Sequence, residues 1–425
     1  MDIGEILRRR TALAARPMDR PVQRSATAPA LEELAPGRWV HSPLGRCFVS
    51  ERRYPLSHRH GDLPLGDLVA STAAPWPQRF FRGAPFDLAQ AVLLDTETTG
   101  LARSAGTFCF LVGLGRIEGD EMVVRQYFAP DYGDEPCLLE LVSGAVEGSS
   151  GLISFNGFTF DVPLLDARYI LNGYARSPLA RRPHLDLLPV ARRLWRGMLA
   201  SCALTALERD ILHIPRSEDD VPGYLIPGIY QEYLAYGETE GIARVMSHNM
   251  MDVLSMVSLS VRAAGVLAEG SARSPSPYRD PVALGRLYEA EGQPEAALAA
   301  YRQGLDAGSA ARRAEAGQRL AMLLKRLGRW KEAVALWRAA LDGDALEPYV
   351  ELAKYLEHQQ RSWGEARALV RRAIVGVREG RLRCASRAAA LSELGHRLQR
   401  LERRIAAQAP GPKDAPGAEP AEATP

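Results

Sequence analysis

The stretch AVLLDTETTGL, residues 91–101, contains the feature on which the fold assignment rests. Four apolar residues come first, Asp95 and Glu97 follow two positions apart, and Gly100 ends the run. Residues i and i+2 of a strand face the same way, so the pattern predicts two carboxylates side by side at the end of a buried strand. Like charges in such a place repel each other, and a bound cation would turn that repulsion into binding.

Two further stretches place acids within apolar patterns. SFNGFTFDVPLL, residues 154–165, puts Asp161 just inside a helix, after a strand and a glycine turn. SHNMMDVLSM, residues 247–256, puts His248 and Asp252 four residues apart, and therefore on one face of a helix. Burying several carboxylates without cations among them is costly, so the pattern favours a functional role for these acids over a structural one.

Hard divalent ions such as Mg²⁺ and Mn²⁺ take oxygen ligands, which clustered carboxylates supply. Two such ions about 3.5–4 Å apart can hold both the attacking and the leaving oxygen of a phosphodiester. The sequence thus predicts a site for two Mg²⁺ or Mn²⁺ ions. Its predicted ligands are Asp95, Glu97, Asp161 and Asp252.

The motifs DTETTGL, NGFTFD and HNMMD, in this order and at these separations, resemble the DEDD exonucleases of the RNase H-like superfamily. The resemblance covers about residues 90–265 and implies a mixed five-stranded sheet flanked by helices. It also implies removal of nucleotides in the 3′→5′ direction. By residue, it implies catalytic roles for Asp95, Glu97, Asp161 and Asp252, with His248 as the residue that activates water.

The histidine departs from the pattern of these exonucleases. In their His-type branch the histidine usually precedes the last acid by five positions, and in the Tyr-type branch a tyrosine precedes it by four. His248 stands at the four-residue spacing. A neutral imidazole is a suitable general base, and the alternative is that His248 only caps or packs.

Five residues are candidates for contacting nucleic acid, each with a structural alternative. Phe158 and Phe160 could stack on a base, or pack in the core. Asn156 could contact the substrate, or form an Asn-Gly turn. Arg192 and Arg196 share a helical face that could hold phosphates, or simply be solvated.

Three other polar residues have weaker claims to function. Asp186, in PHLDLLPVARRLW, either assists the site from a second layer or begins a helix. His58 and His60, in SHRHGD, are either metal ligands or structural residues. The structural alternative is favoured for all three.

The C-terminal part of the chain repeats itself. Glu-Ala pairs at 295–296, 332–333 and 365–366 stand 37 and 33 residues apart, each between helical patterns. Helix, turn and helix at a period near 34 residues resembles tetratricopeptide repeats. The added repeats resemble a bacterial branch that joins a DEDD domain to such repeats.

The predicted architecture is an α/β RNase H-like domain followed by an all-α, tetratricopeptide-like repeat domain. Its predicted segments are a flexible arm over 1–30, a small β-rich lead-in over 31–90, the nuclease domain over 91–270, the repeats over 271–405 and a disordered tail over 406–425.

Composition limits the cellular compartment and the kinds of partner that we expect for the protein. The five cysteines among 425 residues show no CxxC spacing, so neither a zinc site nor a disulfide framework is predicted. We expect no signal peptide and no membrane span, and hence a cytoplasmic protein. Residues 271–405 carry 25 Lys+Arg against 16 Asp+Glu, whereas 91–270 carry 14 Arg against 23 Asp+Glu. The basic segment is expected either to bind polyanions or to form a solvated surface.

Two classes of function remain at this stage. The favoured one is a metal-dependent nuclease acting on single-stranded DNA or RNA, with a protein partner bound through the repeats. The alternative is a scaffold of weak or no activity, whose nuclease fold grips nucleic acid while its repeats recruit a partner.

Overall fold

The chain divides into two units between Arg279 and Asp280, and a mixed sheet of eight strands forms the centre of the first unit. The structure, a computed structural model, describes residues 29–100, 106–217, 219–269 and 276–408. In chain order the strands are β1 Gly37–Ser42, β2 Gly45–Pro55, β3 Arg59–His60, β4 Leu63–Pro64, β5 Phe81–Arg82, β6 Val92–Thr98, β7 Cys109–Glu118, β8 Glu121–Phe128, β9 Leu152–Ser154 and β10 His184–Asp186. Strands β3 and β4 form a separate two-stranded ribbon.

The strand order in the large sheet is β1-β2-β8-β7-β6-β9-β10-β5, so the prediction of five strands is wrong. The three additional strands, β1, β2 and β5, come from the segment interpreted as a separate lead-in. Strand β2 pairs with β8 from Phe48 opposite Phe128 to Pro55 opposite Glu121. This pairing satisfies backbone groups along an edge of β8 that would otherwise stay open.

Eight helices of the first unit are described. They are α1 Leu31–Leu34, α2 Asp67–Ser71, α3 Glu135–Val146, α4 Asp161–Leu171, α5 Leu187–Trp195, α6 Leu204–Leu207, α7 Ile226–Tyr236 and α8 Thr239–Ala268. The helices predicted at the second and third acidic motifs are confirmed, since Asp161 begins α4 and His248 and Asp252 lie on α8. Strands β7 and β8 form an antiparallel hairpin.

Helix α8 is the long helix that carries the third acidic motif. By length and composition it could cross a membrane, but 78% of its most apolar window is buried inside the protein. A core helix of a folded domain passes the same test. Its apolar face packs on β6, β7 and β8, which places residues 248–252 beside the end of β6.

The second unit consists of helices. They are α9 Pro281–Ala290, α10 Pro294–Asp306, α11 Ala310–Arg326, α12 Trp330–Ala339, α13 Glu347–His358, α14 Trp363–Arg378 and α15 Arg387–Gln408. Each helix packs on the next, and together they enclose a separate hydrophobic core. The predicted helix-turn-helix pattern is confirmed, whereas its assignment to tetratricopeptide repeats stays a prediction.

The turns inside the three helical hairpins share one backbone conformation. Gly292 and Gly328 have φ of 69° and 74° in the first two hairpins, and Arg361 has φ of 53° in the third. A left-handed residue ends a helix and lets the chain reverse, and glycine does so without a steric penalty. The third hairpin keeps the turn with an arginine, which explains why its sequence departs from the other two.

Candidate active site

Strand β6 carries Asp95 and Glu97 to the centre of the sheet. Its parallel pairing with β9 ends at Leu94 opposite Ser154, so the two strands part where Asp95 begins. On the other side, Asp95 lies opposite Gly113 of β7, and the register shifts between Glu97 and Thr98. Both carboxylates are half-buried in the opening at the carboxyl end of β6, the kind of place where α/β sheets bind ligands.

Helices α4 and α8 bring the other two predicted acids to the same opening. Asp161 is the first residue of α4, is 5% exposed, and accepts a hydrogen bond from the Thr96 hydroxyl of β6. Asp252 lies on α8, one turn after His248. The structure therefore brings together the acids of all three motifs, although they stand up to 157 residues apart in the chain.

The electrostatics of the cluster show how closely these acids interact. Burial raises the pKa of Asp95 well above its usual range, and the charges of Asp252, Glu97 and Asp161 raise it further. Burial, together with Asp252 and Asp161, likewise raises the pKa of Glu97. Burial raises the pKa of Asp161 to about 6, even though the Thr96 hydrogen bond opposes the shift.

His248 forms a pair with Asp220, a residue that lies outside the three acidic motifs. Its Nδ1 lies 2.8 Å from Asp220 Oδ1, and its Nε2 lies 3.7 Å from Asp252 Oδ2. Because a carboxylate only accepts, the Asp220 contact places the ring proton on Nδ1 of a neutral imidazole. The lone pair of Nε2 is then free on the side of Asp252.

Arg216 joins most of the charged groups on this side of the site. Its guanidinium donates to both oxygens of Glu208 (2.5 and 2.7 Å), to Asp220 Oδ2 (2.9 Å) and to Asp252 Oδ1. Its Nη1 also lies 3.0 Å from His248 Nδ1. His248 Nδ1 can either accept from Arg216 or donate to Asp220. We assign it as a donor to Asp220, because that contact is the shorter one (2.8 Å against 3.0 Å), and the Arg216 approach is then a contact between two donors.

Asn249 holds Asp95 from the other side. Its Nδ2 donates to Asp95 Oδ2 over 2.7 Å, and its Oδ1 accepts from Gln126 Nε2 of β8 over 2.9 Å. A side chain at Gly113 would place its Cβ 2.1 Å from Asn249 Oδ1, so glycine is required there for Asn249 to fit. Gln126 and Asn249 are fully buried and fix the orientation of the Asp95 carboxylate.

The turn that precedes α4 is fixed by Asp186. Its buried carboxylate accepts hydrogen bonds from the backbone N–H groups of Asn156 (2.8 Å), Phe158 (3.0 Å) and Leu188 (3.0 Å). The last of these makes Asp186 the N-cap of α5. Asp186 therefore positions the NGFTFD turn and begins a helix, as the favoured structural alternative predicts.

The turn presents its three nucleic-acid candidates differently. Asn156 is exposed, with φ of 68°, and its Oδ1 accepts from the Thr159 hydroxyl over 2.8 Å. Phe158 is half-buried, and its ring lies edge-on to His184 at 4.4 Å. Phe160 is half-buried and directly precedes Asp161. Thus Phe158 has a packing partner, and Phe160 lies next to the acids.

The remaining candidates lie outside the acidic cluster. Arg192 and Arg196 are exposed, on α5 and just after it. His60 is buried and hydrogen-bonds Ser255 Oγ over 3.0 Å, and burial lowers its pKa to about 4. The ring of His58 packs beside Tyr54 at 4.9 Å. These contacts agree with the structural role favoured for both histidines.

The donor set suits a hard divalent ion, because it consists of four carboxylates from β6, α4 and α8. Within the described ranges, however, no three His, Cys, Asp or Glu side chains already enclose a point where an ion would sit. Protein donors hold one oxygen of three of the acids, which leaves the other oxygen of each carboxylate for an ion: Asn249 on Asp95, Thr96 on Asp161 and Arg216 on Asp252.

The repulsion among the acids leads to a prediction about stability without metal. Asp95→Asn is expected to raise the thermal unfolding midpoint of EDTA-treated protein at pH 8 by roughly 2–8 °C, since each kcal/mol is worth about 2–4 °C in a unit of this size. Raised carboxyl pKa values mean that the folded protein binds protons which the unfolded chain releases. Wild-type stability should therefore rise as the pH falls through about 6, the pKa of Asp161.

Calorimetric unfolding scans from pH 8 to pH 5 measure this effect. The advantage of Asp95→Asn should shrink as the pH falls, because the wild-type carboxyl then becomes neutral as well. Glu140→Gln, which neutralises an exposed carboxylate on α3, serves as the control and should change the midpoint little. A lower midpoint for Asp95→Asn at pH 8 would show that the acids do not strain the metal-free fold.

Comparison with known proteins defines the class to which this fold and site belong. A family model described as the RNase H superfamily matches residues 92–264, the segment that carries the four acids and His248. The chain belongs to the RNase H superfamily, whose members generally hydrolyse nucleic acids. Among curated proteins it is similar to the uncharacterised protein YprB of Bacillus subtilis (strain 168), with 32% identity over 329 residues. That alignment covers 75% of this chain and 78% of YprB.

Proposed function

We propose that this protein hydrolyses phosphodiester bonds of DNA or RNA and removes nucleotides from the 3′ end of single strands. The observation that supports this most is the convergence of four carboxylates at the end of β6. One of them, Asp252, lies one helical turn from His248. The superfamily match over residues 92–264 supports the same reaction class. The order of the acids along the chain supports the DEDD type in particular.

In this proposal the carboxylates hold two Mg²⁺ or Mn²⁺ ions, and their ligands are Asp95, Glu97, Asp161 and Asp252. When bound, the ions supply a nucleophilic hydroxide at neutral pH and stabilise the charge that develops on the phosphate. Asn249 fixes Asp95, and Thr96 fixes Asp161, so that each carboxylate keeps one oriented oxygen. Orienting partners of this kind stabilise metal-binding geometry.

His248 is proposed as the general base. With the Nδ1 proton held by Asp220, the neutral ring presents the Nε2 lone pair beside Asp252. The proton taken from water goes to Nε2, and Asp220 then stabilises the imidazolium that forms. The four-residue spacing to Asp252 suits this task, because one helical turn brings the two side chains to the same opening.

The single-stranded end is proposed to bind along the NGFTFD turn. Phe160, next to Asp161, would stack on the terminal base, and the exposed Asn156 would contact the sugar or phosphate. Phe158 is proposed to support the turn through His184, as well as to face the substrate. The exposed arginines Arg192 and Arg196 would contact phosphates farther from the reacting bond.

Degradation of end-labelled oligonucleotides tests the proposed polarity. A 5′-labelled single strand should yield a ladder that shortens one nucleotide at a time, in Mg²⁺ or Mn²⁺ and not in EDTA. The same strand with phosphorothioate linkages at its 3′ end should resist degradation, whereas protection of the 5′ end should have no effect. Internal cuts at early times would contradict exonuclease action while leaving metal-dependent hydrolysis intact.

A cleft in the second unit suggests how long strands are held. It has a volume of about 790 Å³, and its lining includes Arg367, Arg371, Arg372 and Arg381 together with Asp342 and Asp344. Arg371 pairs with Glu402 and Arg381 with Glu379, whereas Arg367 and Arg372 form no ion pair with any residue of the described ranges. We propose that these two arginines contact substrate phosphates.

Reversing the two unpaired charges is expected to weaken binding of long strands. Arg367→Glu/Arg372→Glu in the full-length protein should lose roughly tenfold in affinity for a 40-nucleotide strand at low salt. It should also lower the salt slope by about 1.4, or 0.7 for each lost contact with a single strand. Binding is measured by fluorescence anisotropy from 50 to 300 mM salt.

The control is Lys331→Glu/Arg403→Glu, which makes the same change of charge at two exposed positions outside the cleft. Its affinity and slope should change less than those of the cleft variant. Equal slopes for the wild-type protein and the cleft variant would reject the phosphate contacts. They would instead favour recruitment of a protein partner by the helical hairpins, as tetratricopeptide repeats do.

A further inference from the structure

Arg216 occupies a position that a metal-binding carboxylate site would normally leave to a cation from solution. Its guanidinium donates to Asp252 Oδ1, the last of the four acids, and carries a permanent positive charge. We propose that Arg216 is a built-in competitor for the divalent ion at Asp252, so that it lowers the affinity of the site for metal. This inference rests on the proposed metal-dependent function.

Arg216 is held in place independently of Asp252. Two of its nitrogens donate to the two oxygens of Glu208, in a bidentate pair whose carboxylate side chain is 1% exposed. Glu208 in turn accepts a hydrogen bond from Ser255 Oγ of α8 over 2.6 Å. Because the cation is anchored from behind, it stays beside Asp252 whatever the ligand state of that carboxylate.

The position of the cation has an electrostatic consequence. Arg216 also lowers the pKa of Glu97, opposing the burial and the acidic neighbours that raise it, so its charge acts on at least two of the proposed ligands. A fixed positive charge a few ångströms from a divalent ion repels it, and the screening by salt is weak in a partly buried site. An ion that uses Asp252 Oδ1 must also displace the guanidinium hydrogen bond.

A different role for Arg216 predicts the opposite effect. If Arg216 served only to orient Asp252, its removal would weaken metal binding by about 10–100-fold, as loss of an orienting partner does. The competitor role predicts tighter binding, because the repulsion and the occupied oxygen disappear together. The sign of the change in affinity therefore separates the two roles.

Titration calorimetry with Mn²⁺, at pH 7.5 and without nucleic acid, measures this sign directly. Arg216→Gln is the simplest variant, but it leaves the buried Glu208 without its cation. Arg216→Gln/Glu208→Gln avoids that defect, because two amides can pair where the ion pair stood. Glu208→Gln alone keeps Arg216 and is the matched control. The same pair of changes in an Asp252→Asn background completes a double-mutant cycle.

We expect Arg216→Gln/Glu208→Gln to bind Mn²⁺ roughly tenfold more tightly than the wild type. Glu208→Gln should give no tightening, and the gain should vanish in the Asp252→Asn background. Unchanged or weaker binding by the double variant, when the wild type binds Mn²⁺, would overturn the competitor role and leave the proposed function standing. Absence of binding by both proteins would overturn the metal-dependent function and this inference together.

Discussion

Asp95→Asn and Asp252→Asn should each lower nuclease turnover by roughly 10³-fold or more, which corresponds to about 4 kcal/mol of transition-state stabilisation. The two acids come from β6 and α8 and face the same opening. Both are proposed as metal ligands, so the loss of either one should impair metal binding. Turnover is measured from the loss of a 5′-labelled single strand, with protein cleared of contaminating nuclease by a second column step.

The fold should survive both substitutions, because removing one of several repelling charges relieves strain in the metal-free protein. Circular dichroism and the thermal midpoint verify this in the same preparations. Glu140→Gln, an exposed acid of α3, should keep full turnover. Undiminished cleavage by either Asp95→Asn or Asp252→Asn would remove these residues from the reacting centre.

The second large effect is expected at His248. His248→Ala should lose about 10²–10⁴-fold in turnover, the usual contribution of a general base. Mn²⁺ binding by calorimetry should remain, since His248 is not proposed as a ligand.

Asp220 provides the companion test for this dyad. Asp220→Asn keeps the shape of the side chain but lets its amide donate to Nδ1, which favours the tautomer with the proton on Nε2. Turnover should therefore fall by about 10–100-fold while the KM changes little. Full activity of both His248→Ala and Asp220→Asn would make the pair a structural feature of the α8 surface.

The four acids could be predicted from the sequence because each lies in a regular element. Asp95 and Glu97 interrupt a strand pattern, and Asp161 and Asp252 interrupt helical ones, so a local reading finds them. Their meeting at one opening depends on the parallel pairing of β6 with β9 and on the packing of α8 across β6. The resemblance to a known family supplied that long-range information.

The charged groups around Arg216 could not be predicted in the same way. Glu208, Arg216 and Asp220 lie in the stretch ERDILHIPRSEDD, which has no helix or strand periodicity and looks like a solvated loop. Their pairing is a tertiary event, since the short π-helix Glu208–Leu212 and residues 213–217 and 219–220 must pack against α8. The one signal in the sequence is the cluster of acids around Arg216, in a stretch that precedes the third motif.

The strand count was wrong because it came from the family resemblance, which covers about residues 90–265 and therefore leaves out β1, β2 and β5. The 11-residue strand β2 reads GRCFVSERRYP, and the charges in its second half interrupt the apolar pattern of a strand. In the fold those charges are satisfied across the strands: Glu51 of β2 accepts from Arg125 of β8 over 2.7 Å. Cross-strand pairs of this kind stabilise an edge that local composition does not favour.

Hydrolysis itself tests the central claim most directly. Wild-type protein, Asp95→Asn and the double variant Asp95→Asn/Asp252→Asn are incubated with labelled single-stranded DNA and RNA in Mn²⁺, and in EDTA as a blank. The account predicts shortening of at least one of the two strands by the wild-type protein in Mn²⁺, and no shortening with either variant or with EDTA. Equal degradation by the wild type and the double variant, or no degradation of either strand by the wild type in Mn²⁺ or Mg²⁺, would contradict it.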